Sequence, residues 1–385
     1  MTTLISFLGK GKDSRGYQTA NYQFDDGSHY ENQTYIGLTL THKTKPSRLI
    51  LLGTAGSMWD VFLENTTGLD EEWLTLAESV QNQSVTNELL TPFSRFLSEK
   101  LEISVHCELI PYGKTHKEQM AILSRLAELL SPQESIDIDV THGFRHLPML
   151  SLVAARFLQK TQSINVQKIY YGAFEMREKN YTPILDLSGL LELLTWVDAL
   201  SCFDKDGDFG VFASLLEKQG LSLDNVDLLK KAAFYERTTN STKSKETLST
   251  VFSHIESLDS PLFNLFKNQL ISRISWFKKT NRGEREMVLA DSYLNRGDYI
   301  RAIIYGFEGL ISSHIYKIKN NENDFSVRDQ AKETLKNNNS FKRLNRLRNA
   351  VAHGVKADDT EVLKILKDEK TLKQSLTERF KHLFD

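Results

Sequence analysis

The sequence predicts an α/β half followed by an all-α half, with the change near Gly189. Three observations carry this. Short apolar runs in the first half alternate with amphipathic, helix-length stretches, the pattern of βαβ units on a parallel sheet. Several of those runs end in glycine-bearing loops. Beyond Leu190 the chain has one proline, Pro261, and is rich in Leu, Lys, Glu and Phe at helical spacing.

Taken in order, Leu4–Gly9 reads as the first strand. Tyr17–Phe24 and Thr34–His42 are polar and aromatic and flank Asp25-Asp26-Gly27, which predicts a hairpin near one sheet edge. Arg48–Gly56, Glu102–Ile110, Ile136–Gly143 and Val166–Phe174 read as further strands. Val85–Lys100, His116–Leu130 and Pro148–Lys160 read as the helices between them. The α/β domain is expected over 1–189. A helical connecting region follows over 190–260, with a mobile polar break in Arg237–Thr250, and a second helical domain over 261–385.

Composition narrows the function classes. A chain of 385 residues, 40% apolar and 25% charged, packs as two or three globular domains. A net charge of −2 gives no global basic field, so any nucleic-acid contact is local. Cys107 and Cys202 lie in apolar contexts without metal-ligand spacing and read as buried thiols of a reducing cytoplasm. No window approaches the ~18 apolar residues of a membrane span, and the N-terminal stretch lacks the basic start of an export signal. Asp204–Glu217 invites a calcium-loop reading. It fails on register, because positions six and twelve are Phe209 and Leu215 where glycine and an acid are required. An acidic turn capping a helix is expected instead.

Ligands of open parallel sheets sit at the carboxyl ends of the strands. Three loops lie there: Gly9-Lys10-Gly11-Lys12, Gly53-Thr54-Ala55-Gly56-Ser57 and Thr141-His142-Gly143-Phe144-Arg145. Their glycines let backbone amides approach a phosphate, and their hydroxyls and cations add donors. None has Walker or GxGxxG spacing. Together they point to an anionic, nucleotide-like ligand. His142 also reads as a strand-end histidine satisfied by backbone, and His146 as structural.

Asp139-Val140-Thr141-His142-Gly143-Phe144-Arg145 resembles the Asp-X-Thr-His-Gly signature of CRISPR-associated proteins with a Rossmann-like CARF sensor domain. The loops around Gly9 and Thr54 are similar to that family's ligand-facing loops. The resemblance implies a homodimer or higher even-numbered oligomer and a cyclic oligoadenylate activator, with four adenylates expected over six. The implied ligand residues are Gly9, Lys10, Gly11, Thr54, Ser57, Thr141, His142, Gly143, Phe144 and Arg145. No resident cofactor is implied.

In the second half, Phe341–Gly354 holds Arg348-Asn349-X-X-X-His353, preceded by Lys342, Arg343 and Arg346. Histidine transfers protons near neutral pH, and arginine offers a fixed fork to phosphoryl oxygens. No acidic metal cluster accompanies them. On an ideal helix, Arg348 and His353 stand about 140° apart. Either His353 sits on a frayed last turn ended by Gly354, or the site pools residues of two chains. The motif resembles that of HEPN ribonucleases. This implies a symmetric dimer, catalytic Arg348, Asn349 and His353, and metal-independent cleavage of single-stranded RNA to a 2′,3′-cyclic phosphate, in type III CRISPR defence. Two alternatives are a non-enzymatic ligand-controlled regulator and a sensor that also cleaves its own activator through His142 or Thr141.

Overall fold

The computed structural model describes residues 2–10, 18–64, 67–144, 146–353 and 360–384. The chain divides into two compact units, Met1–Glu192 and Leu193–Asp385.

Among the described residues the first unit has eight strands: β1 (Thr2–Leu8), β2 (Ala20–Gln23), β3 (His29–Gln33), β4 (Arg48–Gly53), β5 (Ser104–Leu109), β6 (Ser135–Asp139), β7 (Asn165–Gly172) and β8 (Thr182–Asp186). They form one sheet of order β3-β2-β8-β7-β6-β1-β4-β5. β5, β4, β1, β6 and β7 are mutually parallel, while β8 runs antiparallel to β7 and β3 to β2. Helices α1 (Ile36–Thr44), α2 (Trp59–Phe62), α3 (Asp70–Gln81), α4 (Asn87–Leu101), α5 (His116–Leu129) and α6 (His146–Thr161) connect them. The central strands carry long apolar runs because helices cover both faces of a parallel sheet. Leu4, Leu8, Leu49, Leu51 and Ile136 are buried accordingly.

The hairpin is present as β2 and β3, with its turn over residues 24–28. Its expected second half, Thr34–His42, is instead mostly α1. Ile36 and Leu40, one turn apart, are buried together, and the Thr41 and Thr44 hydroxyls donate to the Gly37 and Leu40 carbonyls. Burial on a 3.6-residue period thus overrides the β-branched composition. β8 and α3 go beyond the sequence reading. α6 starts two residues before Pro148, which suits a first-turn proline.

The second unit is helical: α7 (Gly189–Asp206, on which the division falls), α8 (Ala213–Lys218), α9 (Leu223–Arg237), α10 (Ser241–Ser257), α11 (Pro261–Ile274), α12 (Arg282–Asn295), α13 (Tyr299–Lys317), α14 (Phe325–Leu335), α15 (Asn339–His353), α16 (Thr360–Ile365) and α17 (Glu369–Phe384). One hydrophobic cluster runs from Trp196 to Phe380, so 190–260 shares its core with the helices that follow. The expected mobile break at Arg237–Thr250 is a correction: only a short turn separates α9 from α10, and Asn240 caps α10 by accepting from the Lys243 amide. The polar sequence hides a buried face. Ser241 and Ser244 sit in the core because their hydroxyls donate to Glu286 and to the Ala232 carbonyl. Asp208 caps the 3₁₀ turn Phe209–Phe212 by accepting from the Gly210 amide, in line with the acidic capping turn expected there. Cys107 is buried, whereas Cys202 is half-buried, and neither is in a disulfide.

Candidate functional site

β1 lies between β4 and β6, and the order of the parallel strands reverses around it. This places a crevice at the carboxyl ends of β1 and β6. A Cβ on Gly9 would lie 2.5 Å from the Gly143 amide nitrogen. The loops after β1 and β6 therefore touch backbone to backbone. Gly143 has φ +122°, a conformation open to glycine and strained for other residues. Gly9→Ala is expected to destabilise the N-terminal unit by about 1–3 kcal/mol, read as a lower urea midpoint.

A buried polar chain positions the loop after β6. Register pairs Ser6 with Asp139, and the Ser6 hydroxyl donates to Asp139 Oδ2 at 2.5 Å. Asp139 Oδ1 accepts from the Thr141 amide at 2.9 Å. The Thr141 hydroxyl accepts from the Gly172 amide at 2.8 Å, fastening the loop to the end of β7. Burial pushes the Asp139 carboxyl above its usual range, against these hydrogen bonds. Tyr35 closes the chain: its hydroxyl lies 3.1 Å from Ser6 Oγ and donates to the Phe7 carbonyl.

The His142 ring stacks on Tyr35, with centroids 5.0 Å apart, and its Nε2 accepts from the Ile36 amide at 3.5 Å. Burial pushes its pKa down to about 4, so it is neutral near pH 7. Thr54 and Ser57 lie at the end of β4 but are buried. Their hydroxyls are 3.2 Å apart, Ser57 Oγ accepts from the Thr54 amide, and it donates to the Leu8 carbonyl. They shape the loop instead of facing solvent. Lys10 is exposed and Gly143 and Phe144 are half-buried, whereas the expected ligand residues Gly11 and Arg145 lie outside the described residues. His146 Nε2 donates to the Tyr112 carbonyl at 2.9 Å. The structure adds an aromatic cluster in which the Phe144 ring lies 5.8 Å from Tyr112 and 5.9 Å from His146. The Lys114 ammonium sits 4.8 Å above Tyr112. The stretch Pro111-Tyr112-Gly113-Lys114 also follows a strand end, so the same strand-end rule identifies it.

In the helical unit, α15 packs against α13. Arg348, Asn349 and His353 line one cavity of about 330 Å³, whose far wall is Ile300, Ile303, Ile304 and Glu308 of α13. The helix runs unbroken to His353, and the partner helix lets one cavity reach both ends of the motif. Gly354 lies outside the described residues. The Arg348 guanidinium is held on two sides. It lies 4.4 Å over the Phe307 ring, and its Nε and Nη2 donate to Asn349 Oδ1 at 3.3 and 2.9 Å. Phe307 in turn stacks on Phe341, with centroids 4.8 Å apart. Glu308 accepts from Arg328 Nη2 at 2.5 Å, so its charge is already matched. Phe307 and Glu308 carry no sequence signal. Among the described residues, no group of three or more His, Cys, Asp or Glu side chains is arranged to hold a metal ion.

A sequence model described as "CRISPR system endoribonuclease Csx1, CARF domain" matches residues 3–175, which include every strand-end loop above. The first unit is thus similar to the CARF domains of CRISPR-associated proteins. The curated CRISPR-associated protein MJ1674 of Methanocaldococcus jannaschii is 26% identical over 245 residues, covering 57% of this chain and 39% of that protein. The chain thus spans well under half the length of the relative it matches. The CARF match ends at residue 175, before α15, and does not include Arg348, Asn349 and His353. No helix among the described residues is long and apolar enough to cross a membrane.

Proposed function

We propose that this chain is a cyclic-oligoadenylate-activated, metal-independent endoribonuclease that cuts single-stranded RNA in the cytoplasm as part of type III CRISPR defence. The observation that carries this reading is the cavity shared by Arg348, Asn349 and His353, in a chain whose other unit is a CARF domain. His353 exchanges the proton of the attacking 2′-hydroxyl or of the leaving 5′-oxygen. Arg348, already fixed by Phe307 and Asn349, meets the charge that develops on the phosphoryl oxygens without further reorganisation. The test is cleavage of labelled RNA in EDTA with cyclic tetraadenylate, cyclic hexaadenylate or neither. Cleavage that depends on one activator and leaves 2′,3′-cyclic phosphate ends is expected. Cleavage that is absent with both, or requires a metal, overturns the reading.

In this reading the activator binds the CARF strand ends across a two-fold axis and biases a dimer towards the cutting state. A dimer surface is supported by α6, where Met149, Val153 and Phe157 are 74%, 57% and 41% exposed at one-turn spacing. The double substitution Met149→Asp/Val153→Asp is expected to yield monomers by light scattering and to abolish activated cleavage. A dimer that persists places the interface elsewhere. His142 is packed on Tyr35 and its Nε2 faces a backbone amide, which favours holding the activator over cleaving it.

A further inference from the structure

A second cavity, of about 780 Å³, lies in the helical unit against α12, α13 and α17. It is separate from the Arg348–His353 cavity. On α13, Ile304 of the first and Lys317 of the second stand about 140° apart around the helix. Its floor is apolar, with Met287 and Phe380 buried. Tyr316 stands in its wall, 49% exposed. Lys279, Lys317 and Lys381 are exposed along its rim.

The charge balance of this cavity is set by what its acids already do. Among the described residues, no carboxylate forms an ion pair with Lys279, Lys317 or Lys381. Glu284 is engaged in capping its own helix: Oε1 accepts from Asn281 Nδ2 at 2.8 Å and Oε2 from the Thr280 amide at 3.2 Å. Asp291 accepts from Asn295 Nδ2 on the next turn. Three uncommitted ammonium groups therefore face a cavity whose two acids are turned to their own helix. A chain of net charge −2 keeps this cationic patch local.

We infer that this cavity binds a nucleoside phosphate unit, with the base on Tyr316 over the Met287–Phe380 floor and the phosphate among the lysines. The volume lies within the roughly 300–1,000 Å³ of ligand cavities. An exposed aromatic ring beside cations is how proteins hold single-stranded nucleic acid without reading its sequence. Two sources carry this chemistry, a segment of an RNA strand and a free mononucleotide. The proposal rests on the ribonuclease reading only in taking substrate RNA as the strand.

The test is binding in EDTA to the full chain of a labelled ten-residue oligoadenylate and, separately, of AMP. Wild type is compared with Tyr316→Ala, Tyr316→Trp and Lys317→Glu/Lys381→Glu, each checked for an unchanged melting curve. For the strand as source, oligonucleotide affinity is expected to fall about fivefold or more in Tyr316→Ala and to be retained in Tyr316→Trp. The charge reversal is expected to lower it at least about tenfold and to flatten its dependence on salt. If AMP binding shows these losses and oligonucleotide binding does not, the free nucleotide is the source. Unchanged affinity for both probes in all variants overturns the proposal. So does a changed oligomeric state with nucleotide binding intact, which makes the occupant a protein. Loss of RNA cleavage in otherwise intact assays refutes the ribonuclease reading and leaves this site standing.

Discussion

His353→Ala is expected to lower activated RNA cleavage by a factor of about 10²–10⁴, the usual contribution of a positioned proton-transfer group. His353 is exposed on the last residue of α15, outside the hydrophobic core, so its truncation leaves the fold and the activator affinity unchanged. The loss should fall on kcat, since the imidazole acts on the reacting atoms more than on the bound strand. Arg348→Lys separates the second role. It keeps a positive charge but loses the planar fork that stacks on Phe307 and bonds Asn349. A drop in cleavage for Arg348→Lys approaching that of Arg348→Ala is expected. Full cleavage by His353→Ala would remove α15 from the chemistry and return the helical unit to a regulatory role.

Glu286→Ala is expected to destabilise the helical unit by about 3–5 kcal/mol, because it removes one partner from a buried ionic network. Glu286 is 1% exposed and accepts from three groups at 2.7 Å: the Ser241 hydroxyl, the Ser312 hydroxyl and Arg282 Nε. Arg328 donates to the same Ser312 hydroxyl at 2.9 Å and to Glu308. Truncation therefore removes the carboxylate partner of Arg282 Nε, leaving its Nη1 on Glu322 and Asn323, and leaves Arg328 beside an unanchored hydroxyl. In a unit of this size the melting temperature should drop by roughly 10 °C. Glu286→Gln retains the shape and part of the hydrogen bonding, and its loss should be smaller. The network ends at Glu308 in the wall of the Arg348–His353 cavity, so Glu286→Ala should also lower cleavage at temperatures where the unit is still folded. Equal melting of wild type and Glu286→Ala would show that this carboxylate is dispensable.

The sheet was legible where apolar runs were long and bounded by glycine. β1, β4, β5, β6 and β7 lie within a few residues of the expected strands. The reading failed where composition and burial diverge. Thr34–His42 carries strand-like residues but forms α1, because Ile36 and Leu40 meet the core on a helical period. Arg237–Thr250 looks like a linker because it is polar, yet buried serines with satisfied hydroxyls make it a helix junction. For the candidate site, the positions of the loops after β1, β4 and β6 were legible because each follows an apolar strand and carries glycine. The work of each residue within them was not. Asp139 belongs to the motif and proves to be its inner anchor, and Thr54 and Ser57 are consumed by their own loop.

By itself, the sequence determined the order of an α/β unit before a helical one and the strand end at Thr141-His142-Gly143. It also determined the Arg348-Asn349 and His353 pair near the end of the chain. Periodicity and turn chemistry are local properties, and they survive in a linear string. Tertiary structure alone decided that His142 is a neutral ring packed on Tyr35 and that Arg348 is fixed over Phe307. It also decided that α13 closes one cavity around Arg348 and His353. A sequence shows which face of a segment is apolar. Which distant segment covers that face, and so which polar groups are left facing a cavity, is set when the chain packs.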